Sequence, residues 1–291
     1  MKLNLKLHKL ITFAALGIMS VAAHASDNLK IYHTGGKTGT SMIFANEYAK
    51  DFKPKHKAVE AIGLGGCAPT LRALKTDKEP SVVLWDTGML PIEECNSEFT
   101  KQPPVTLFVS YYMLCTSAEN NYTLADFAKG GRVALNVPLD FWSNWYRDFG
   151  AVNNTRYTNV PVGDSGKQIL SLVSKETDWA MIAGQRARAQ MQDKKLRCVA
   201  STNPAGEEGL PFVGTVAKGF DRSELLLAWA SYVTNASAVD RAKIESNLGA
   251  LHKSPEFQKF MREGHIVDYT HAPAAAKKKF YEHMIHVMGS K

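Results

Sequence analysis

The stretch that decides the fold spans residues 29–52 and reads LKIYHTGGKTGTSMIFANEYAKDF. Its first four residues favour a short β-strand. Residues 34–41 consist of glycine, threonine, serine and one lysine, which is turn chemistry. Apolar residues then recur at helical spacing from Met42 to Phe52. The pattern therefore predicts a strand, a glycine loop and a helix, in that order.

The glycine loop has the chemistry of an anion-binding site. Glycine lacks a Cβ atom, so backbone N–H groups can turn toward a ligand. The start of a helix adds unpaired N–H groups and partial positive charge. We predict ligand contacts at Gly36, Lys37, Thr38 and Ser41. The alternative is a glycine turn that only joins a strand to a helix.

Two nucleotide-binding motifs can be compared with this loop, and neither fits. Gly36-Lys37-Thr38 resembles the end of a P-loop, but that motif needs a glycine five residues earlier, where this chain has Ile31. The spacing of a dinucleotide fingerprint is not met either. We therefore expect no cofactor.

Residues 1–25 have the pattern of a secretion signal. Three lysines lie within the first nine residues, residues 10–23 are an apolar run, and residues 23–25 read Ala-His-Ala. The apolar run is short for a membrane span, although an uncleaved anchor is the alternative. We expect cleavage near Ala25 and an exported, periplasmic mature protein.

Charge and length narrow the function classes. The formal charge of +7 falls to +4 when the three lysines of the signal are removed (7 − 3 = 4). No basic stripe with interleaved aromatic residues occurs, so nucleic acid is not an expected partner. The roughly 266 mature residues suffice for one large domain or two ordinary ones.

Two more strand-type segments end in polar or glycine-rich loops. Residues 58–62 run into the loop 63–67, and residues 81–85 end at Asp86. Ligands of open parallel sheets bind at such carboxyl ends. The candidate site therefore gains Gly65, Gly66, Trp85 and Asp86. The alternatives are a core position for Trp85 and a turn-capping role for Asp86.

Residues 105–115 form one continuous β run. The run is longer than an average strand of about six residues. A strand that crosses between two lobes explains that length.

The plan of the opening stretch recurs beyond this crossing strand. Residues 132–135 lead into the loop 136–143 and an aromatic helix face, and residues 159–162 lead into the loop 163–167. The backbone N–H groups of residues 138–143 are candidates for holding a carboxylate, although Asp140 would repel an anion unless its side chain points away or caps the helix. The candidate residues are Asn136, Pro138, Phe141, Trp142, Ser143, Gly163, Asp164 and Ser165.

The remainder of the chain is predicted to return to the first lobe. Residues 196–200 predict a strand beside the crossing strand, and residues 212–217 predict one more strand. Helical spacing predicts helices over residues 223–233, 238–251, 255–263 and 274–287.

Four cysteines remain after export, and none forms a C-x-x-C pair, so no zinc or redox motif is expected. An oxidising compartment permits disulfides, and three pairings are possible. We favour Cys67 with Cys95 and Cys115 with Cys198, because each pair then stays within one lobe.

Short motifs of the chain resemble those of the solute-binding receptors of tripartite tricarboxylate transporters, the Bug receptor family. Residues 34–38 resemble the Pro-Gly-Gly-Ser/Thr loop after the family's first strand, and residues 63–66 its second glycine-rich loop. VPVG at residues 160–163 resembles a VPY-x-G element, and LRCVAST at residues 196–202 resembles LRALAVTS. The chain departs from the family at residues 136–143, where bulky side chains replace small ones.

This resemblance implies an α/β, two-lobed periplasmic binding protein of type II (Venus-flytrap), in which each lobe is a mostly parallel sheet flanked by helices. Residues 26–110 and 203–291 would form lobe 1, and residues 111–202 lobe 2. It implies a monomeric, non-enzymatic protein that captures a small organic carboxylate between the lobes and delivers it to membrane permease subunits. The bulky loop suits a carboxylate with an aromatic or apolar body.

Three alternatives stay open at this stage. The first loop also resembles TAXI-type receptors of TRAP transporters, which would imply an amino acid or dicarboxylate ligand. A receptor of this plan can instead report to a sensor kinase. A secreted hydrolase would use Ser165 in Gly-Asp-Ser-Gly, but no G-x-S-x-G elbow occurs.

Overall fold

The computed structural model describes residues 28–289 apart from residues 91, 100, 102–103, 137–140, 208, 221 and 223. The predicted signal peptide, residues 1–25, lies outside the described residues. None of the helices in the described part of the chain has the length and apolar character of a membrane span.

Strands and helices alternate through most of the chain. The strands are β1 (Asn28–His33), β2 (Ala58–Gly63), β3 (Ser81–Asp86), β4 (Thr106–Ser117), β5 (Gly131–Leu135), β6 (Tyr157–Pro161), β7 (Ala180–Ala183), β8 (Leu196–Ser201), β9 (Leu226–Thr234) and β10 (Val267–Asp268). The helices are α1 (Thr40–Phe52), α2 (Cys67–Thr76), α3 (Glu93–Phe99), α4 (Leu124–Phe127), α5 (Phe141–Val152), α6 (Ser165–Val173), α7 (Gly184–Gln192), α8 (Ala238–Leu251), α9 (Pro255–Glu263) and α10 (Ala274–Gly289).

The opening stretch folds as predicted, into β1, a glycine loop and α1. β1 lies between β2 and β3, and both pair with it in parallel. The sheet continues through β9 to β4 and β10, in the order β2-β1-β3-β9-β4-β10. We call the part of the molecule built on this sheet lobe 1. The carboxyl ends of its three parallel strands meet at one edge.

The long strand β4 crosses between two lobes, which confirms the prediction for residues 105–115. Its first half, Thr106–Tyr111, pairs with β9 in lobe 1. Its second half, Tyr112–Ser117, pairs with β7 on one side and β8 on the other. A parallel bridge joins Val133 of β5 to Trp179, the residue before β7, and β6 pairs in parallel with β5. We call the part built on β6-β5-β7-β4-β8 lobe 2.

The observed architecture confirms the predicted two-lobed α/β fold, with sheets flanked by helices. The expectation that each sheet is mostly parallel is wrong. In lobe 1, β9 is antiparallel to β3 and β4, and β10 is antiparallel to β4. In lobe 2, β4 is antiparallel to both β7 and β8, because the crossing strand runs against the strands beside it. The limits expected for the lobes, 26–110 with 203–291 and 111–202, stay a prediction at the level of single residues.

Two predicted elements are wrong. Residues 223–233 were expected to be helical, but residues 226–234 form β9, a central strand buried almost throughout. A strand buried on both faces has a continuous apolar run instead of an alternating one, and such a run resembles a buried helix. Residues 212–217 were expected to form a strand, but Val213–Val216 form a 3₁₀ turn.

Helix α1 is anchored against the sheet of lobe 1 by aromatic rings. The ring centre of Phe44 lies 4.7 Å from those of both Phe108 and Trp229. One turn later, the Tyr48 hydroxyl hydrogen-bonds to His252 at 2.8 Å. These contacts fix the helix so that its first turn stays at the carboxyl end of β1.

Both predicted disulfides are present. Cys67–Cys95 joins α2 to α3 in lobe 1, and Cys115–Cys198 joins directly opposed residues of β4 and β8. The second bridge therefore reinforces the strand pair that carries the crossing strand into lobe 2.

Replacing both cysteines of the Cys115–Cys198 bridge by serine is expected to lower the free energy of unfolding more than the same change at Cys67–Cys95. The Cys115–Cys198 bridge joins residues 83 positions apart, and the Cys67–Cys95 bridge joins residues 28 positions apart. Because the longer closed segment restricts the unfolded chain more, the difference in stability should be about 1 kcal/mol. Guanidinium unfolding of the two double variants measures the difference. A larger loss from the 67–95 pair would contradict this account.

Candidate functional site

A cavity of about 130 Å³ lies between the two lobes. Its walls come from the carboxyl ends of β1 and β3, the glycine loops that follow β1 and β2, and the first turns of α1, α5 and α6. The middle of β4 and the strand β9 also contribute side chains, Tyr112 and Trp229. The cavity therefore lies at the edge of the sheet where open α/β folds bind ligands.

The first turn of α1 faces this cavity with N–H groups that no side chain caps. The N-cap residue is Gly39, which has no side chain to accept a hydrogen bond. The N–H of Met42 donates to the Gly39 carbonyl at 3.2 Å. In the described part of the chain, the N–H groups of Thr40 and Ser41 have no protein acceptor. Together with the helix dipole, these two groups favour a negatively charged ligand group.

The first turn of α6, across the cavity, is already capped by the protein. The Asp164 carboxylate accepts the N–H of Gly166 at 2.9 Å and that of Lys167 at 3.1 Å. It also accepts the hydroxyl of Thr38 from lobe 1 at 2.6 Å. Burial favours the neutral acid, but these hydrogen bonds outweigh burial and hold the pKa of Asp164 below its ordinary value. This helix start is therefore not available to an anion.

The lobes touch at this end of the cavity. Besides the Thr38–Asp164 bond, the hydroxyls of Thr40 and Ser165 lie 3.3 Å apart. A Cβ atom added at Gly36 would lie 2.6 Å from Asp164 Oδ2, and one added at Gly166 would lie 2.6 Å from the Thr38 hydroxyl. Glycine at both positions is what allows the lobes to approach this closely.

Asp86 lines the cavity at the end of β3. Its carboxylate accepts the N–H of Gly88 at 3.0 Å and the hydroxyl of Thr34 at 3.1 Å. Burial raises its pKa to about 6, although the hydrogen bonds from Thr34, Gly88 and Ser41 act in the opposite direction. It both caps the following turn, as the alternative interpretation held, and faces the candidate site.

Aromatic and apolar side chains form the rest of the wall. Trp229 contributes from β9, and its indole N–H donates to the Ser41 hydroxyl at 3.3 Å. Trp142 packs edge-on to Tyr112 with ring centres 4.5 Å apart. Such a wall suits a ligand with an apolar body, and it excludes water from the polar groups at the ends.

The structure brings most of the predicted site residues together. Those that line the cavity are Gly36, Ser41, Gly65, Gly66, Asp86, Asn136, Phe141, Trp142, Gly163, Asp164 and Ser165. Thr38 holds the lobes together instead of lining the wall.

Besides Thr38, three predicted residues lie away from the wall, and one more is outside the described residues. The Lys37 side chain is exposed. Trp85 is a core residue that stacks on Phe99 at 4.9 Å, as its alternative interpretation held. Ser143 borders a separate surface depression with Arg147. Pro138 lies outside the described part of the chain.

No protein-family profile and no curated protein sequence matches this chain. Solved structures do match it. The periplasmic binding protein BugD superposes with a TM-score of 0.72 at 14% identity, over 90% of this chain and 95% of that one. MatC from Rhodopseudomonas palustris with bound malate gives 0.68 at 13% identity, over 90% and 97%. An R. palustris protein with adipate gives 0.72 at 11% identity, over 89% and 94%.

The chain has the fold of the periplasmic binding proteins. This confirms the architecture that the sequence motifs implied. At these identities the superposition establishes the fold alone, so the ligand must be inferred from the cavity.

Sequence patterns did not point to several wall residues of this periplasmic-binding-protein fold. Thr34, Gly35, Gly39 and Thr40 belong to the first loop, so the whole loop was the better unit of prediction. Trp229 and Leu227 were missed because β9 was predicted to be a helix. The missed wall residues also include Gly88, Met89, Ile92, Tyr112, Gln168, Met181 and Ala183.

The described residues also bear on metal and hydrolase chemistry. Among them, no group of three His, Cys, Asp or Glu side chains is arranged to hold a metal ion. The hydroxyl of Ser165 has the hydroxyl of Thr40 as its partner, which is not a general base.

Replacing Asp86 by asparagine is expected to stabilise the ligand-free protein at pH 8 and to change little near pH 4. Because the pKa rises from 3.8 to about 6 on folding, the stability contributed by the protonated acid is complete below pH 3.8 and is lost as the pH rises through about 6. At pH 8 the buried charge lowers the free energy of unfolding by roughly 1–3 kcal/mol. The neutral amide of asparagine carries no such cost.

Thermal unfolding of both proteins at the two pH values, in buffers without carboxylates, measures this effect. Asp51→Asn on the outer surface of α1 is the matched control, since Asp51 pairs with Lys55 away from the cavity. An Asp86→Asn variant that loses stability equally at both pH values would contradict a buried charge at this position.

Proposed function

We propose that this protein is an extracytoplasmic solute-binding protein, which captures a small organic carboxylate between its lobes and delivers it to a membrane transporter of the tripartite tricarboxylate type. The observation that carries the proposal is the uncapped first turn of α1, whose Thr40 and Ser41 N–H groups face an interlobe cavity. Two such donors and the helix dipole bind a carboxylate without a basic side chain.

The superposed structures support the choice of ligand class. MatC was solved with malate and the second R. palustris protein with adipate, which are both carboxylates. The signal-like residues 1–25 and the periplasmic neighbour BugD support a periplasmic location. We further propose that the protein acts as a monomer with permease subunits as partners.

The proposal is for binding without chemical conversion. Ser41, Gly65, Gly66 and Asn136 would contact the ligand, and Phe141 and Trp142 would pack on its body. The Ser165 hydroxyl points to Thr40 at the lobe contact, so it would serve closure instead of nucleophilic attack. The lobe limits 26–110 with 203–291 and 111–202 remain part of this proposal.

The cavity sets the size of the ligand. Its volume of about 130 Å³ is slightly below the roughly 150 Å³ of an engineered protein cavity that admits benzene. A ligand of about six non-hydrogen atoms therefore fits the closed site. Larger acids would require the lobes to close less far.

Ligand capture would proceed by closure of the lobes about the crossing strand. The Thr38–Asp164 bond and the Thr40–Ser165 contact exist only when the lobes meet. Closure removes water from the α1 amides, which strengthens their hydrogen bonds to a carboxylate. Micromolar affinity requires about 8 kcal/mol in total.

Thermal unfolding in the presence of small carboxylates tests the proposal. At a concentration one hundred times its dissociation constant, a ligand stabilises the fold by about 2.7 kcal/mol. For a chain of this size, the midpoint should rise by about 5–10 °C. The panel should cover acids of two to six carbon atoms, with chloride and sulfate as controls. A panel in which no carboxylate shifts the midpoint would overturn the proposed function.

Replacing Gly36 by alanine is expected to weaken carboxylate binding about tenfold, because the added Cβ would lie 2.6 Å from Asp164 Oδ2 and would hold the lobes apart. Isothermal titration measures the affinity, and thermal unfolding without ligand checks the fold. Gly249→Ala in α8, away from the cavity, is the matched control. A Cβ atom added there would have its nearest neighbour, a ring carbon of His271, at 3.9 Å. Equal affinities for the two variants would exclude closure at this contact.

A further inference from the structure

We infer that the natural ligand carries a protonated amine beside its carboxylate, and that Asp86 receives this amine. The inference rests on the proposed function and narrows the ligand class from carboxylates to small amino acids. It is carried by the charge environment of Asp86, the distribution of charge along the cavity wall, and the position of Ser41 between the two proposed subsites.

Asp86, which is half-buried, differs from two carboxylates with largely buried side chains in having no cationic partner. Asp77, with a side chain 8% exposed, pairs with Lys30 at 3.0 Å. Glu207, 10% exposed, forms an ion pair with Arg188. In the described part of the chain, Asp86 forms no ion pair with a lysine, arginine or histidine. A buried charge without a partner is costly, so its presence on a cavity wall is explained if the ligand supplies the cation.

The carboxylate of Asp86 also has spare acceptor capacity. Its donors are the Thr34 hydroxyl, the Gly88 N–H and the Ser41 hydroxyl. An ionised carboxylate has about four acceptor positions. One position therefore remains for a ligand N–H, on a residue that lines the cavity.

The wall as a whole favours a ligand that is not purely anionic. In the described part of the chain, the lining side chains that carry a charge at neutral pH are two acids, Asp86 and Asp164, with no lysine or arginine among the lining residues. The charges of Lys167 and Arg186 act on Asp164 from outside the wall. Asp86 has no such compensation, so a second carboxylate on the ligand would be repelled there.

Aromatic side chains strengthen the case for a cation. The rings of Tyr112, Phe141, Trp142 and Trp229 all contribute to the wall. The faces of such rings attract ammonium groups, and tryptophan does so most strongly. The apolar edges of the same rings would pack against the short carbon skeleton of the ligand.

Ser41 places the two subsites close together. Its N–H belongs to the uncapped first turn of α1, and its hydroxyl lies beside Asp86 and accepts the Trp229 indole N–H at 3.3 Å. A ligand carboxylate on the α1 amides would therefore have its amine on an adjacent or nearby carbon. This arrangement matches a small amino acid of about six non-hydrogen atoms, which is the size that the cavity admits.

The test compares matched trios of ligands by isothermal titration at pH 7. Each trio consists of a carboxylic acid, its α-hydroxy analogue and its α-amino analogue, such as propionate, lactate and alanine, with skeletons of two to five carbon atoms. In the trio that binds most tightly, the amino acid is expected to bind at least tenfold more tightly than the other two members.

Asp86→Asn assigns that preference to the carboxylate. The amide keeps an oxygen for the Gly88 N–H but loses the negative charge, so the preference for the amine should fall at least tenfold while the unsubstituted acid binds no more weakly. The control Asp51→Asn should retain the wild-type preference. Circular dichroism melting verifies that both variants fold. If Asp86→Asn does not fold, the comparison of the ligand trios on wild-type protein decides whether the amine is preferred.

The possible failures are distinguishable. If wild-type protein binds the unsubstituted or hydroxy acid as tightly as the amino acid, the role of Asp86 is overturned while carboxylate binding stands. The same conclusion follows if Asp86→Asn folds and keeps the full preference. If no acid of any class binds, the proposed function itself fails.

Discussion

One carboxylate, that of Asp164, connects the two halves of this molecule at the mouth of the cavity. It accepts the first N–H groups of its own helix and, at 2.6 Å, the hydroxyl of Thr38 from the opposite lobe. The lobes can meet there because Gly36 and Gly166 leave room that a Cβ atom would fill. The closed cavity, its small volume and the exclusion of water from its polar ends all depend on this contact.

The contact also makes the site asymmetric. Helix α6 satisfies its first N–H groups with a protein carboxylate, whereas α1 begins at a glycine and leaves those of Thr40 and Ser41 unused. Of these two helix starts, only that of α1 is available to an anion. The strand–loop–helix plan recurs in both halves, and Asp164 shows that a helix start within this plan need not offer free amides. The lobe 2 amides that were predicted to hold a carboxylate, those of residues 138–143, lie partly outside the described residues. A single capping side chain decides whether a helix start binds a ligand or the protein itself.

Much of the fold could be predicted because local signals agreed with the tertiary structure. The change from strand to helical spacing around the first glycine loop located β1 and α1, and the unusual length of residues 105–115 revealed the crossing strand. β9 could not be predicted in this way, because a strand buried on both faces has no alternation. The error over β9 also concealed Trp229, which provides a wall of the cavity.

Prediction of the site was limited by side-chain direction. Lys37 belongs to the correct loop but is exposed, and Trp85 belongs to the correct strand but points into the core. Adjacent residues of a strand face opposite sides of the sheet, so a segment can be assigned to a site more safely than each of its side chains. Asp86, the next residue after Trp85, is the one that reaches the cavity.

The most direct measurement is a crystal structure of the protein saturated with the small carboxylate that stabilises it most. The account predicts that the ligand carboxylate accepts hydrogen bonds from the Thr40 and Ser41 N–H groups, with the Thr38–Asp164 bond intact and the lobes closed. A carboxylate bound to another part of the cavity, or bound while those two amides face water, would contradict it.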